Sequence, residues 1–374
     1  MHLARLALTD FRCYQSADVS LSAGVTTFTG PNGAGKTNLI EAACYVATFA
    51  SHRVAADAAM VRSGADRAIL RAAVRSGTRD SLVEIELNPG RANRVRLNRA
   101  PLSRPREALG TLRCVLFAPE DLAIVKGDPD QRRRYLDDLL VASRPRYAAV
   151  RADYERVVKQ RTALLKSARA AGRGIPAGLD VWDEQLAERG AALTAGRLRL
   201  AQALRPLLTA RYAEVSADPQ GASMRYRQGS ERSAVFDPEP DEAALAEALS
   251  ESVARLRQAE LDRAVCLVGP HRDELELRIG DLPARGYASH GESWSLALAL
   301  RLAAFGLLRA DGEDPVLMLD DVFAELDAGR RDRLAELAAD AEQVLVTAAV
   351  AADVPARLAG ASYAVSGGVI SDGH

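Results

Sequence analysis

The chain has 374 residues, of which 48% are hydrophobic and 26% charged, and this ordinary globular composition excludes a fully disordered protein. Its 49 basic and 50 acidic residues give a net charge of −1, so the chain is not a basic coat for nucleic acid, and such a partner must bind a local patch. The length predicts about two domains, or one domain with a large insertion.

The amino-terminal part of the chain is predicted to be rich in strands. A glycine-rich loop at 30–37 leads into a predicted helix at 37–49, whose apolar residues recur on one face. Alternating or apolar runs separated by turn residues predict a small antiparallel sheet after this helix. The strands predicted before the loop are 3–8, 17–21 and 25–29, and those predicted after the helix are 68–75, 82–88, 94–98 and 112–117.

The middle of the chain has a helical pattern. Apolar residues from about 130 to 215 recur at spacings of three and four, with a break at 172–176, and this predicts two long helices folded into an αα-hairpin. The stretch 218–241 is predicted to be loop-like, with one strand candidate at 223–227. A third helix is predicted at 241–262.

Strands return in the last third of the chain, which completes an α/β pattern. The predicted elements are strands at 264–268 and 274–279, a helix at 293–308, a strand at 316–319, a helix at 331–341, a strand at 343–347 and a hairpin at 361–370. We therefore predict a discontinuous α/β lobe formed by 1–117 and 263–374. A mostly helical insertion at 118–262 would interrupt it.

The glycine-rich loop has the spacing of a phosphate-binding loop. Residues 30–37 match G-x-x-x-x-G-K-[ST] between a strand and a helix, as the motif requires. Backbone N–H groups and the helix N-terminus suit phosphates, Lys36 can reach the β- and γ-phosphates, and Thr37 can hold Mg²⁺. The residues predicted to bind nucleotide are Gly30, Pro31, Asn32, Gly33, Ala34, Gly35, Lys36 and Thr37.

An apolar run that ends in two aspartates predicts the other half of this site. A buried parallel strand ending in a carboxylate presents it at the sheet edge where a phosphate loop lies. Asp320 would hold Mg²⁺, and Asp321 would orient or deprotonate the attacking water. Many strands end in a solvated carboxylate, so this assignment depends on the phosphate loop.

The cysteines and the first residues of the chain indicate the cellular compartment of the protein. Cys13, Cys44, Cys114 and Cys266 lack the spacing of a zinc site or a disulfide framework, and buried free thiols in a reducing cytosol are expected. No signal peptide or membrane span is predicted, so a cytoplasmic protein is expected.

A short polar segment before the helix at 293–308 resembles the signature motif of ABC-type ATPases. It reads Ser-His-Gly-Glu at 289–292, and residues 324–327 resemble the D-loop of the same superfamily. There, the signature of one subunit contacts the γ-phosphate held by the other, so the resemblance implies an ATP-dependent homodimer. Ser289, Gly291 and Glu292 would then bind ATP. The alternative is an ordinary helix N-cap.

The order of these motifs around a helical insertion is similar to a P-loop, ABC/SMC-type ATPase head, with the insertion as a mostly helical lid that is too short for the coiled coils of SMC proteins. Further segments resemble the RecF family of recombination and repair proteins over nearly the whole chain. These segments are 8–14, 117–122, 125–129, 132–133, 160–166 and 269–273.

The RecF resemblance implies an ATP-dependent DNA-binding protein of DNA replication, recombination, gap repair and the SOS response. It would clamp gapped, double-stranded or single-stranded DNA and act with RecO and RecR to load recombinase. Arg12 would lie near the base or ribose, and Glu120 near the position of a glutamine loop. Asp321 stands where many ABC ATPases have Glu, and Thr347 where transporters have a switch His, so slow, DNA-stimulated ATP hydrolysis is expected.

The start of the insertion carries the candidate DNA surface. Residues 126–173 contain 13 basic and 6 acidic residues, a local excess of +7. Dispersed cations suit the phosphate backbone rather than base edges, which predicts salt-sensitive binding with little sequence preference. A solvated helix face is the ordinary alternative for any single Arg. The residues predicted to contact DNA are Arg132, Arg133, Arg151, Arg156, Lys159, Arg161 and Lys166.

Three other functions stay open on the sequence alone. The separation of 284 residues between Lys36 and Asp320 and the basic insertion argue against a transporter ATPase subunit. The signature-like segment argues against a small P-loop kinase. A DNA-organising, SMC-like protein with a relic nucleotide site would bind DNA without ATP.

Overall fold

The computed structural model describes most of the chain. Arg173, which was counted in the basic segment, and much of the loop predicted at 218–241 lie outside the described residues, as does His374. The described ranges are 1–172, 174–216, 220–229 and 241–373.

The chain folds into two compact units, each assembled from more than one segment. The second unit begins near the predicted start of the insertion at 118 and continues past its predicted end at 262. The first unit comprises Met1–Leu122, Arg211–Pro219 and Trp294–His374, and the second Ala123–Ala210 and Gln220–Ser293.

One sheet of the first unit is antiparallel and has six strands. Alternate residues of the strand Ala68–Ser76 are buried, as expected for a strand with one face on a core. This sheet confirms the strands predicted at 3–8, 17–21, 68–75, 82–88 and 94–98. In spatial order the strands are Tyr14–Ser20, His2–Phe11, Ala68–Ser76, Arg79–Leu87, Arg94–Leu97 and Ala100–Pro101.

The second sheet of the first unit is mostly parallel and positions the predicted nucleotide site. Its strands Val316–Asp320 and Gln343–Ala348 are buried along their whole length, as parallel strands covered on both faces are. In spatial order the strands are Val369–Asp372, Ala361–Ser366, Gly24–Thr29, Gln343–Ala348, Val316–Asp320 and Cys114–Phe117.

The strand predicted at 112–117 was assigned to the wrong sheet. Cys114–Phe117 pairs in parallel with Val316–Asp320 and does not extend the antiparallel sheet. Because this run is continuously apolar, it lacks the alternation that marks a strand with one solvated face.

Helices flank the sheets of the first unit. The helix predicted at 37–49 is confirmed as Lys36–Thr48, with Leu39, Ile40 and Ala43 buried. The helix His290–Arg309 starts among the last residues of the second unit. The other α-helix of the first unit is Ala328–Ala339, and its 3₁₀ turns are Asp57–Met60, Pro105–Ala108, Pro119–Asp121, Val322–Glu325, Ala351–Asp353 and Ala356–Leu358.

The second unit is mainly helical. The pattern at 130–215 forms three helices rather than the predicted two, because the chain is not helical between Ser143 and Tyr147, where Pro145 lies. The helices of this region are Leu122–Lys126, Pro129–Ser143, Tyr147–Ala170, Leu179–Val215, Glu242–Arg263, Pro270–Arg272 and Ala284–Tyr287. The strands, in spatial order, are Leu282–Pro283, Glu274–Ile279 and Ala222–Arg227.

The strand predicted at 264–268 does not form. Ala264 ends the preceding helix in a left-handed conformation (φ 55°), and the carbonyl of Cys266 accepts hydrogen bonds from the side chain of Arg272. Cys266 and Val268 are buried, so this apolar run contributes to the core without pairing in a sheet.

Within the described residues, no helix combines the length and the apolar character needed to cross a membrane.

Candidate nucleotide-binding site

The glycine-rich loop is closely packed at two of its glycines. A Cβ on Gly30 would lie 2.1 Å from the carbonyl oxygen of Val365. Gly35 has φ 116°, and a Cβ there would lie 2.8 Å from the hydroxyl oxygen of Tyr14, which donates to the Gly35 carbonyl. Only glycine fits these positions, so the loop is held in one shape by its neighbours.

Lys36 is held by the loop itself. Its side-chain Nζ donates to the carbonyl oxygens of Gly30 (2.8 Å) and Pro31 (3.3 Å), and the residue is 3% exposed. No ion pair of this ammonium group occurs within the described residues. A buried cation at the start of a helix, bound only to carbonyls, suits an incoming phosphate.

Asp320 joins the two predicted halves of the site. Its Oδ1 accepts from the hydroxyls of Thr37 (3.1 Å) and Thr347 (2.6 Å). Thr347 Oγ1 also accepts from the backbone N–H of Asp321 at 2.9 Å. A hydroxyl and a carboxylate at this distance are the hard oxygen ligands that Mg²⁺ prefers. The geometry therefore brings together Thr37 and Asp320, as the sequence predicted.

The carboxyl of Asp320 is 2% exposed, and burial raises its pKa above the usual value. Hydrogen bonds from Thr347 and Thr37 oppose this rise, whereas the nearby charge of Asp321 adds to it. When no cation is bound, the ionised carboxylate therefore lowers the free energy of unfolding. This cost disappears as the pH falls through the raised pKa, because the carboxyl group is then protonated in the folded protein.

We expect Asp320→Asn to stabilise the protein at pH 7 when nucleotide and divalent cations are absent. Asn keeps an oxygen that accepts from Thr37 and Thr347 but removes the buried charge. A gain of about 1 kcal/mol would raise the melting temperature by roughly 2–4 °C. Thermal melts from pH 7 to pH 4 should show this difference shrinking as the wild type becomes protonated.

Asp372→Asn is the control because it removes an exposed carboxylate from the same sheet, and it should leave the melting temperature unchanged. Equal melting temperatures for wild type and Asp320→Asn at pH 7 would contradict the idea that the carboxylate of Asp320 costs stability.

Arg12, which the resemblance places near the nucleotide, is anchored to the helix that follows the loop. Its guanidinium donates two hydrogen bonds to Glu41, at 2.8 and 2.6 Å, and a third to the carbonyl of Ala59. Burial acts to raise the pKa of Glu41, but the bonds from Arg12 and Ser51 hold it below its usual value. This buried ion pair fixes Arg12 beside the loop-bearing helix.

Glu120 lies in the turn Pro119–Asp121 after the strand Cys114–Phe117 and is exposed. The neighbouring Asp121 is buried and accepts from the side chain of Arg301 at 3.0 Å. This ion pair fixes the turn and leaves the carboxylate of Glu120 at the surface.

The signature-like segment forms a capping box. The backbone N–H of Ser289 donates to the Glu292 carboxylate (2.7 Å), and the N–H of Glu292 donates to Ser289 Oγ (3.2 Å). Ser289 is exposed and Gly291 half-buried. The N-cap alternative is therefore present as local structure.

The D-loop-like segment ends at a second capped helix. Asp327 accepts from the backbone N–H of Arg330 at 3.0 Å, and Arg330 Nε donates to Ser295 Oγ at 2.9 Å. The N–H of Arg330 lowers the pKa of Asp327, with a further contribution from its guanidinium charge. Arg330 thus connects the D-loop-like segment to the helix His290–Arg309.

Sequence reasoning missed the structural roles of Glu41, Thr347 and Tyr14. Glu41 was detectable as a lone acid on an otherwise apolar helix, since a buried charge needs a partner. Thr347 had been singled out only for standing where a histidine was expected. No sequence signal pointed to Tyr14.

Two of the predicted DNA contacts are wrong, because their side chains are buried and paired. Arg132 is 3% exposed and binds Glu274 through two hydrogen bonds, of 2.7 and 3.0 Å. Arg161 is 0% exposed and binds Asp183 and Glu260, each at 2.6 Å. A side chain that is inaccessible and already neutralised cannot contact a phosphate.

The other predicted DNA contacts differ in accessibility. Arg133 is half-buried and donates to the carbonyl of Asp273, while Arg151 is half-buried and bound to acidic neighbours. Arg156, Lys159 and Lys166 are exposed on the helix Tyr147–Ala170. These three form the accessible part of the predicted set.

Comparison with known sequences identifies a family. The chain matches the model of the RecF/RecN/SMC N-terminal domain over residues 2–356. It is 58% identical to the DNA replication and repair protein RecF of Frankia alni, with 99% of both chains covered. It is 56% identical to the protein of that name from Streptomyces avermitilis, again with 99% of both covered.

Comparison with solved structures agrees with this. The structure of the recombination mediator protein RecF bound to ATP, in the RecFOR pathway, matches with a TM-score of 0.90 and 26% identity. That match covers 100% of this chain and 97% of the other. An Smc head bound to the C-winged helix domain of ScpA matches with a TM-score of 0.57 at 17% identity, covering 99% and 96%. The second likeness shows the fold alone.

Proposed function

Because the chain belongs to the RecF/RecN/SMC N-terminal domain family, we propose that it is an ATP-dependent DNA-binding protein of replication and recombinational gap repair. The observation that carries the proposal is the contact of Thr37 with Asp320 beside the buried ammonium of Lys36. The likeness to a RecF structure bound to ATP supports it. Relatives named for DNA repair argue against the transporter and kinase alternatives.

The residues present fit a magnesium–nucleotide complex. The backbone of residues 30–37 would surround the phosphates and Lys36 would pair with them, while Thr37 and Asp320 would hold Mg²⁺. The ion would neutralise phosphate charge when bound. Asp321 would orient the water, and its short side chain supports slow hydrolysis used as a switch.

Dimerisation is the proposed output of ATP binding. Ser289, Gly291 and Glu292 begin a helix of 20 residues, whose first N–H groups and dipole suit the γ-phosphate held by a second copy. The bound nucleotide would then lie between two molecules and hold them together.

DNA is the proposed partner of the dimer, together with RecO and RecR, in the cytoplasm. The cations Arg156, Lys159 and Lys166 follow one another at spacings of 3 and 7 residues on one helix and are exposed. Such dispersed charges contact backbone phosphates and give salt-dependent binding with little sequence preference.

The function is tested by measuring the affinity for gapped duplex DNA with and without ATP. We expect ATP to strengthen binding by the wild type. The triple variant Arg156→Glu, Lys159→Glu, Lys166→Glu should bind at least about tenfold more weakly in ATP. The slope of log affinity against log salt should fall by about three, because three phosphate contacts are lost.

A matched control replaces three exposed arginines of the first unit with glutamate and so makes the same change in net charge. These residues are Arg91, Arg96 and Arg104. It should bind DNA like the wild type. If both triple variants lose the same DNA affinity, the loss is due to net charge alone, and the assignment of the DNA surface to this helix is wrong. Wild-type affinity that does not respond to ATP would favour a relic nucleotide site.

A further inference from the structure

Two cysteines contact each other beneath the nucleotide site. Cys44 lies on the helix Lys36–Thr48 that starts in the phosphate loop, and Cys114 is the first residue of the strand Cys114–Phe117. Their sulfur atoms are 3.9 Å apart, although the residues are 70 positions apart in sequence. Both belong to the first unit. A covalent bond here would connect the loop-bearing helix to the sheet.

The surroundings of the pair favour one thiolate. The Cys114 thiol donates to Cys44 and lowers the pKa of Cys44, and the nearby His52 and Arg301 lower it further. The same contact raises the pKa of Cys114. Burial opposes ionisation of Cys44, but the contact still favours the loss of a proton from Cys44 over its loss from Cys114, so Cys44 is the attacking sulfur and Cys114 the resolving one.

The ring of His52 supports this assignment. Both ring nitrogens are buried and have no hydrogen-bond partner within the described residues, so the ring is not committed to another structural contact. Burial acts to lower the pKa of His52, but the interaction with Cys44 raises it above the usual value. The imidazole of His52 therefore lies close enough to the Cys44 sulfur for each group to favour the charged form of the other.

We propose that Cys44 and Cys114 form a reversible disulfide when the protein meets a peroxide, and that this bond lowers ATP affinity. The Cys44 thiolate attacks one oxygen of hydrogen peroxide, the O–O bond breaks, and a sulfenic acid and water form after uptake of one proton. The Cys114 sulfur then attacks the Cys44 sulfur, the S–O bond breaks, and a second water leaves. Overall, two thiols are oxidised by two electrons, and one peroxide is reduced to two waters.

The effect on nucleotide follows from the distances. The sulfurs must approach from 3.9 Å to about 2.05 Å for the bond to form. Because the interior is close-packed, this approach shifts the helix that begins with Lys36 and Thr37. A displacement of about 1 Å at a positioned group can cost up to about 100-fold in activity. We expect ATP affinity to fall by about tenfold.

The exposed Cys13 must be separated from this effect. Contrary to the expectation of buried thiols, it is exposed, and its sulfur lies 3.2 Å from the side-chain nitrogen of Asn38 at the start of the same helix. Its oxidation could disturb the loop by another route. The test therefore uses the full-length protein with Cys13→Ser, which keeps Cys44, Cys114 and Cys266.

In this background, hydrogen peroxide should produce a peptide that joins the segments of Cys44 and Cys114 in a non-reducing digest. The joined peptide should weigh two hydrogens less than the sum of its parts. ATP affinity should fall by about tenfold and return after dithiothreitol. Adding Cys114→Ser should abolish both the cross-link and the reversible loss of affinity, while adding Cys266→Ser should change neither.

The outcomes are distinguishable. If peroxide gives no Cys44–Cys114 peptide, the modification site is wrong, whatever the protein does with nucleotide. If the cross-link forms and ATP affinity stays constant, the regulatory half is wrong. The proposed effect on ATP affinity rests on the proposed ATP binding. ATP binding is therefore measured first on the reduced protein, so its absence is seen independently of the cross-link.

Discussion

ATP will double the solution mass of the Asp321→Asn protein from 40.0 kDa, and ADP will leave it unchanged. The reason is that nucleotide held by residues 30–37 of one molecule would be sealed by the Ser289–Glu292 turn of a second. Replacing the water-orienting carboxylate should slow hydrolysis and allow the sealed state to accumulate. Light scattering coupled to size exclusion measures the mass directly.

The substitution is compatible with the fold. Asp321 adopts a left-handed backbone conformation (φ 52°), which Asn tolerates better than most residues. The contact of this residue with Thr347 uses its backbone N–H, so it survives the change. The variant should therefore bind ATP with the same site geometry as the wild type.

Two double variants distinguish ATP binding from the closure of the bound ATP by a second molecule. Asp321→Asn combined with Lys36→Ala should stay monomeric because the phosphates lose their buried cation. Asp321→Asn combined with Ser289→Arg should bind ATP and stay monomeric, since Ser289 lies outside the loop of residues 30–37 that would hold the nucleotide in the same molecule. A monomer of Asp321→Asn with ATP bound at saturation would disprove the shared site.

Arg161→Ala should reduce the free energy of unfolding by about 3–5 kcal/mol, the cost expected when one partner of a buried ion pair is removed. The guanidinium of Arg161 is 0% exposed and lies 2.6 Å from carboxylate oxygens of both Asp183 and Glu260. Without it, the fully buried Glu260 loses its positive partner. Chemical denaturation followed by circular dichroism measures the loss.

Lys159→Ala is the matched control, because it removes an exposed cation from the same helix and should change the unfolding free energy by less than about 0.5 kcal/mol. If Arg161→Ala cannot be purified in a folded form, Arg161→Lys replaces it in the test. Lysine keeps the charge but loses the planar two-bond contact, so its free energy of unfolding should lie between those of the wild type and Arg161→Ala. Equal stabilities of the Arg161 and Lys159 variants would contradict a structural role for Arg161.

The nucleotide site was largely predictable because its signals are local. Residues 30–37 lie between a strand and a helix, and the aspartates follow an apolar run, so each half could be placed from its neighbours in sequence. The meeting of Thr37 with Asp320 followed because parallel strands present their carboxyl ends at one edge.

The fate of the arginines could not be predicted in the same way. Arg161 and Lys159 stand two residues apart on one helix, but the partners of Arg161 lie 22 and 99 positions away. Arg132 pairs with a residue 142 positions away. Charge counting along a segment cannot separate a buried pair from a solvated face, because the partners come from other elements.

The order of the strands has a consequence for how the protein is made. Among the residues that the structure describes, the strand Gly24–Thr29, which leads into the phosphate loop, pairs only with Gln343–Ala348 and Ala361–Ser366. A ribosome delivers both partners only after more than 300 further residues, because Gln343 follows Thr29 by 314 positions, so the loop lacks its sheet neighbours until then. A transcript cut short before these strands yields a chain with an intact loop motif and no sheet to hold it. A newly made chain is therefore expected to bind nucleotide only after the ribosome has passed Ser366.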